Sequence, residues 1–374
     1  MITISSSKPY FSKQQKRFVK DSLESIFNSG RLILGPYTRK LQDKFARYTG
    51  TKFAVAVSSC TAALEIALRF IDVKDKEVVV PTNTFVASAN AVMFAGGILV
   101  LADIDCESLC LDVNDFKRRI NKKTKAVIVV HVAGLIHPKI REIKKICKSR
   151  NIFLIEDVAH AIGSTIDGEK AGTLGDVGCF SFYPTKIITT GTGGMITTDN
   201  KHLADYALSV RHHGAGKGLD DIEELGNDWL LDEVRASLGI AQLGEIEKFI
   251  AARREIANHY DSEIKNLNLT RLQKFPGIRH VYYKYPIILK NKTIRNKIKT
   301  ILKNQYGIET GSIYFPPVHQ MPIYKKMYTF KNSDFPVAND ILPRVLCLPI
   351  FVQMKQKEVN FVIESLGKAL SFHP

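Results

Sequence analysis

Tryptophan occurs once in the 374 residues, and cysteine and methionine six times each. The cysteines (Cys60, Cys106, Cys110, Cys147, Cys179 and Cys347) show no metal-type pairing, and Cys106 and Cys110 lie in DCESLCLD without histidine partners. That excludes a zinc-ligand pattern and fits reduced thiols in a cytoplasmic protein. Long hydrophobic runs are also missing. No stretch approaches the ~20 apolar residues that a membrane span needs, and MITISSSKPYFSKQQKRF at the start lacks the apolar middle of a secretory signal. No metal, no membrane partner and a cytoplasmic location are therefore expected. Repeats and low-complexity linkers are absent too.

Acidic residues are scarce: 37 Asp and Glu against 53 Lys and Arg leave a net charge of +16. From Ala251 to Pro374 there are 20 basic and 8 acidic residues, so this third alone holds +12. Residues 264–308 contain eleven Lys or Arg and no Asp or Glu. Such a field attracts phosphates or acidic surfaces. The stretch carries no Cys/His finger and no RNP-type strand, so no nucleic-acid partner is expected. Solvated surface is the simpler reading, with an anionic small-molecule substrate next.

What is present suits a globular protein with one large and one smaller domain. Seven strand-like runs stand out: KFAVAVS (52–58), EVVVP (77–81), GILVLAD (97–103), KAVIVVHV (125–132), IFLIED (152–157), VGCFSF (177–182) and GGMITTD (193–199). Several are apolar on both faces, as in parallel strands covered by helices. Helical segments such as CTAALEIALRF (60–70) and TFVASANAVMFAG (84–96) alternate with them, which predicts a mostly parallel α/β sheet. Residues 232–264 read as one long amphipathic helix, after which the texture changes to a strand at 282–290, a helix at 293–307 and a Pro-rich segment at 314–327. A boundary near residue 250 gives domains 1–250 and 251–374.

Ligands collect at the C-terminal ends of parallel strands. Past the first strand, Ser58, Ser59, Cys60 and Thr61 open a helix, which suits a phosphate or a plain N-cap. Phe85 follows the second strand at a helix entry, a place for core packing or for stacking on a flat ring. EDVAHA ends the fifth strand with Glu156 and Asp157, and His160 lies three residues on. Ser181 ends the sixth, followed by Lys186 ahead of a Thr- and Gly-rich loop. A lysine in a semi-enclosed pocket becomes nucleophilic toward carbonyls. The conjunction suits pyridoxal phosphate: an acid for the pyridine nitrogen, a stacking ring, a phosphate cup and a Schiff-base lysine.

With IEDVAHAIGS, GDVGCFSFYPTKIITTGTGGMITTD, VVVPTNTFVASANAV and YFPPVHQMPIY in view, the chain resembles the DegT/DnrJ/StrS sugar aminotransferases of the aspartate-aminotransferase fold group. The resemblance implies the PLP-dependent transferase fold type I, a mostly parallel seven-stranded sheet flanked by helices plus a smaller C-terminal α+β domain. It implies that Lys186 bonds the cofactor and shuttles a proton, that Asp157 holds the pyridinium N–H, and that His160 lies near the cofactor's phenolic oxygen. By the same resemblance Phe85 is the stacking ring, Ser59, Cys60, Thr61 and Ser181 form the phosphate cup, and Tyr314 and His319 face the substrate. A homodimer with shared active sites, L-glutamate as donor and a nucleotide-linked keto sugar as acceptor are implied in the same way.

Three departures from the family pattern bear on these roles. Cys60 stands where relatives have Gly, and Thr192 stands in GTGG where they have Glu. In GNDWLL, Asp228 aligns with an Asn that relatives use to reach the partner subunit's phosphate, and Leu230 replaces an Arg. Either the adjacent Asn227 takes over that contact or the phosphate is held differently. The rival readings are a keto-sugar dehydratase, against which Lys186 argues because those relatives carry His there, and a non-catalytic regulator that inherited the fold.

Overall fold

The structure, a computed structural model, describes residues 3–267 and 269–371. All seven strand-like runs become strands of one sheet: β1 (Phe53–Val57), β2 (Glu77–Pro81), β3 (Ile98–Ala102), β4 (Thr124–Val130), β5 (Phe153–Asp157), β6 (Val177–Ser181) and β7 (Gly194–Thr198). Their order is β1-β7-β6-β5-β4-β2-β3. β7 pairs antiparallel with both neighbours, and every other pairing is parallel. Side chains alternate across such a sheet. Val55, Val57, Ala126, Ile128, Ile155 and Cys179 enter one core, and Ala54, Ala56, Val127, Val129, Leu154 and Phe180 enter the other. Both faces are therefore buried, which is why the strands read as unbroken apolar runs.

Helices α1 (Lys13–Ser29) and α2 (Pro36–Thr49) precede β1, α3 (Cys60–Phe70) follows it, and α4 (Val86–Phe94) follows β2. α3 and α4 bury their apolar residues in the first core, while Leu41 and Phe45 of α2 lie in the second. The expected single helix over 232–264 is instead two, α5 (Glu233–Leu243) and α6 (Ile246–Ile264). Gly244 offers little helix propensity, and Glu245 leaves helical geometry at φ −117° and ψ 10°. Its carboxylate accepts the Ser12 hydroxyl at 2.9 Å, which ties the break to the start of α1. Leu243 and Ile246 on either side of the break stay buried.

Residue 250 falls inside α6. Beyond it, a second, antiparallel sheet of β8 (Thr270–Arg271), β9 (Tyr285–Ile288) and β10 (Val345–Leu348) packs with α7 (Lys292–Tyr306) and α8 (Gln356–Ser371) around its own apolar cluster. Ile4 joins that cluster and bridges to Ile308, so the N-terminal segment closes onto the last third of the chain. No helix among the described residues is long and apolar enough to cross a membrane.

Two buried carboxylates brace the framework. Glu233, fully buried, accepts the backbone N–H groups of Gly35, Tyr37 and Thr38 at 2.7–3.0 Å and also the Thr38 hydroxyl. It thereby caps α2, whose own N-cap residue Gly35 has no side chain to do so. Glu156 accepts N–H groups from Gly172, Leu174 and Gly175 at 2.6–2.9 Å and meets His131 Nε2 at 2.8 Å. Burial alone would raise its pKa, but His131 and the backbone donors outweigh burial and hold it below the ordinary carboxylate value.

His137, beside this network, is buried with Nδ1 accepting the Lys139 N–H, so Nε2 donates to the Leu111 carbonyl. Burial pushes its pKa down to about 4. Below an unfolded value of about 6.5 the unfolded chain takes up a proton that folded His137 refuses, so stability falls with pH until about 4. Glu156 adds acid loss lower down, since its depressed folded pKa stabilises the fold only while the carboxylate is ionised. Chemical denaturation at stepped pH should show the unfolding free energy dropping from pH 6.5 to 4, with about 3 kcal/mol from His137. His137→Asn, whose amide takes up no proton, should give a shallower slope over that interval.

Candidate active site

A cavity of about 350 Å³ lies where β4, β5 and β6 end, and its wall includes Ser59, Cys60, Thr61, Phe85, Asp157, His160, Ser181, Lys186 and Tyr314. Nine of the eleven site residues expected from sequence therefore converge, although they are spread from position 59 to position 314. Strand parity explains part of this. Asp157 shares the face of Ile155, toward α3 and α4, whereas Glu156 points to the opposite face.

Asp157 is 5% exposed, and among the described residues it is held by neutral donors only. Oδ2 accepts the Ser88 hydroxyl of α4 at 2.8 Å, and Oδ1 accepts the Ala159 N–H at 3.0 Å. Thr84 lies 2.7 Å from the Ser88 oxygen, so the Thr84 hydroxyl donates to Ser88 while Ser88 donates to the acid. The Cys60 sulfur stands 3.9 Å from Oδ1. Burial, reinforced by the Asp157 charge, raises the Cys60 thiol well above its ordinary pKa, so it faces the acid protonated.

His160 is buried, and desolvation together with Lys186 and Lys284 lowers its pKa far below the ordinary value. The neutral ring accepts the Ala133 N–H at Nδ1 (3.3 Å), which leaves its proton on Nε2, 2.7 Å from the Tyr314 oxygen. The Tyr314 oxygen accepts the Nε2–H hydrogen bond, so its own hydroxyl hydrogen is not used on any of the described residues. Burial holds the Tyr314 phenol well above its usual range, so it stays protonated.

At the start of α3, the Ser59 hydroxyl accepts the Ala62 N–H and its carbonyl accepts the Ala63 N–H. The N-cap reading of Ser59 thus holds. The N–H groups of Cys60 and Thr61 find no protein acceptor among the described residues. Gly194 presses against this turn: a Cβ there would lie 2.4 Å from the Ser59 carbonyl carbon and 2.7 Å from the Cys60 nitrogen. Thr192 gains a physical account, since its hydroxyl donates to the Ser58 carbonyl at 3.2 Å and ties the glycine-rich loop to the same turn. The Ser58 N–H in turn donates to the Trp229 carbonyl at 2.7 Å.

Two expected residues lie apart. His319 is 1% exposed, with Nδ1 at 2.6 Å from the Thr82 hydroxyl and Nε2 at 2.9 Å from Asn339, and its ring stacks on Phe335. The structure does not bring it to the cavity wall. Asn227 is exposed, its side chain accepting the Asp228 N–H at 2.8 Å, and neither residue lines the cavity of its own chain. Ser88 and Tyr283 were not legible: one lies in the middle of a helix pattern, the other in the aromatic run YYKY, which reads as strand.

The wall fits pyridoxal phosphate on each count. Asp157 is a buried carboxylate without a cationic partner among the described residues, which suits a pyridinium N–H. Two unpaired N–H groups at a helix start, beside the hydroxyls of Thr61 and Ser181, suit a phosphate. Phe85 is 58% exposed at the cavity, its ring 5.9 Å from the Tyr314 ring, which offers a stacking surface. Lys186 has no carboxylate partner among the described residues, and its ammonium lies 4.7 Å from the Tyr283 ring centroid.

A model of the DegT/DnrJ/EryC1/StrS aminotransferase family matches residues 13–367. GDP-perosamine synthase of Escherichia coli O157:H7 is 34% identical over 97% of this chain and 97% of its own. The dTDP-4-dehydro-2,3,6-trideoxy-D-glucose 4-aminotransferase of Saccharopolyspora spinosa is 32% identical over 94% of each chain. Among solved structures, Spr1654 of Streptococcus pneumoniae in its PMP form matches with a TM-score of 0.92 at 26% identity over 100% of both chains. Its PLP form matches with a TM-score of 0.91 over 99% of both, also at 26% identity. The cofactor of this protein is pyridoxal phosphate.

Gly194→Ala should weaken cofactor binding about tenfold or more, because the added methyl meets backbone that cannot yield. Gly218→Ala, where nothing lies within 4 Å of the new Cβ, is the control expected to match wild type. Absorbance titration of the apoenzymes with pyridoxal phosphate measures both.

Proposed function

The chain belongs to the DegT/DnrJ/EryC1/StrS aminotransferase family, and from that premise we propose that it transfers the amino group of L-glutamate to a keto sugar carried on a nucleoside diphosphate. The observation that carries this reading is the convergence of Lys186, Asp157 and the unpaired N–H groups of α3 on one cavity. The names of its relatives, which include a GDP-sugar and a dTDP-sugar enzyme, supply the substrate class.

Lys186 would hold the cofactor through its amine, Asp157 through the ring nitrogen, and Phe85 by covering the ring. Ser59, Cys60, Thr61 and Ser181 would receive the phosphate. When bound, pyridoxal phosphate supplies the electron sink that acidifies the C–H bond beside the transferred nitrogen. Lys186 Nζ takes the proton from that carbon of glutamate and later delivers one to the sugar carbon. His160, neutral and fixed by Ala133, presents Nε2–H to Tyr314, whose own hydroxyl hydrogen would then be available to a substrate in the cavity it lines. Of the two substrate-side candidates, Tyr314 is retained on this ground. We further propose that the chain works in the cytoplasm as a homodimer in which Asn227 of a second copy completes the phosphate cup. The division at residue 250 is proposed as the boundary of two units, each with its own sheet.

Lys186→Ala should cut turnover by about a thousandfold or more, within the range that a positioned proton-transfer group supplies. In the wild type, glutamate should convert the cofactor's absorbance to the pyridoxamine form, and a panel of nucleotide keto sugars should reverse it. Bound cofactor that answers to no amino donor would instead favour the regulator.

A further inference from the structure

Tyr283 forms a wall of the cavity that the proposed chemistry has not used. It is 7% exposed, and three neighbours converge on its ring: Lys186 Nζ at 4.7 Å from the centroid, Lys284 Nζ at 5.4 Å, and the His160 ring at 4.3 Å. Its hydroxyl lies 2.9 Å from Thr185 Oγ1, next in sequence to Lys186. Burial would raise the phenol's pKa, but the Lys186 and Lys284 ammonium groups and the Thr185 contact outweigh it and hold the phenol below the ordinary tyrosine value. Two cations and an imidazole around one ring are more than packing requires.

The backbone fixes this side chain at a cost. Tyr282, the residue before it, sits at φ +49°, a left-handed conformation that bulky residues avoid. The facing turn is left-handed as well, at Ala133 (φ +58°) and Gly134 (φ +98°). The two turns interlock: the Val281 N–H donates to the Gly134 carbonyl and the Lys284 N–H to the Ala133 carbonyl, both at 3.1 Å. A Cβ on Gly134 would stand 2.7 Å from the Tyr283 nitrogen, so only glycine allows the approach. Ala133 also donates its N–H to His160. One pair of left-handed turns therefore sets both Tyr283 and His160, and strain kept at such a place points to function.

We propose that Tyr283 is a positioning residue for the Lys186 amine. Whenever Nζ is not bonded to carbon, the ring face and the hydroxyl hold it where it exchanges a proton with the substrate carbon. This rests on the reading of Lys186 as the proton-transferring group. Tyr283 itself forms and breaks no bond to carbon.

Tyr283→Phe keeps the ring and removes the hydroxyl, and Tyr283→Leu removes both. In the holoenzyme, the maximal rate of the glutamate-driven absorbance change should fall about tenfold in Tyr283→Phe and about a hundredfold in Tyr283→Leu, with half-saturating glutamate within about twofold of wild type. A merely structural residue would not produce that split. The second readout needs no cofactor: in the apoenzyme at one mildly alkaline pH, modification of Lys186 by an amine reagent, followed by mass spectrometry, should speed up at least about threefold in both variants. Exposed Lys201 serves as the internal control. Tyr283→Phe within about twofold of wild type in both readouts overturns the proposal. If Tyr283→Leu fails to fold, Tyr283→Phe decides alone. If the wild type answers to no amino donor, the proposed function fails while the apoenzyme labelling still decides whether Tyr283 holds the amine.

Discussion

Glu156 is the constraint on which the site depends. A carboxylate buried to the last atom is tolerated only with a full set of donors, and this one has three backbone N–H groups and a histidine. The backbone donors come from the loop that leads into β6 and the histidine follows β4, so the acid fixes the end of β5 to both neighbouring strands. The pleat then does the rest. With Glu156 committed to one face, Asp157 has to point to the other, between α3 and α4, where Ser88 and Cys60 meet it. Two adjacent acids of like chemistry thus take opposite duties, one bracing the sheet and one facing the cavity.

The scaffold around the cavity repeats this economy. Ser59 spends its hydroxyl and carbonyl on its own helix, so the following two N–H groups are left for an anion. Gly194 and Thr192 hold the turn from the reversed strand β7, the first by lacking a side chain and the second through the Ser58 carbonyl. Cys60 takes an ordinary helical start and turns its protonated sulfur toward Asp157, leaving the N–H row intact.

Much of this was legible in the sequence because it rests on local patterns. Seven apolar runs bounded by turns gave seven strands, since both sheet faces are covered. The strand pattern put Asp157 and Ser181 at the ends of neighbouring strands and Lys186 in the turn that follows. Antiparallel pairing of β7 was not legible, because a five-residue apolar run has no direction. The break at Gly244 was hidden by apolar spacing that continues across it. Tyr283 was out of reach for another reason: it enters the site through interlocked left-handed turns, and nothing in YYKY marks a tyrosine at positive φ. His319, a motif position expected to face the substrate, has its ring nitrogens beside Thr82 and Asn339, away from the cavity wall. The basic run is largely exposed, with Lys284 reaching the Tyr283 ring.

The segment from Trp229 to Glu233 is clamped at both ends. Its first carbonyl takes the Ser58 N–H, the Trp229 ring lies under Arg69 at 5.5 Å, and its last carboxylate caps α2. Asn227 and Asp228, just ahead of the clamp, are exposed. Backbone position and surface chemistry are thereby uncoupled. Mutation can rewrite what this stretch displays, down to the sign of its charge, while the turn that Ser58 begins stays where it is. A catalytic framework built this way can drift in whom it greets without drifting in what it does.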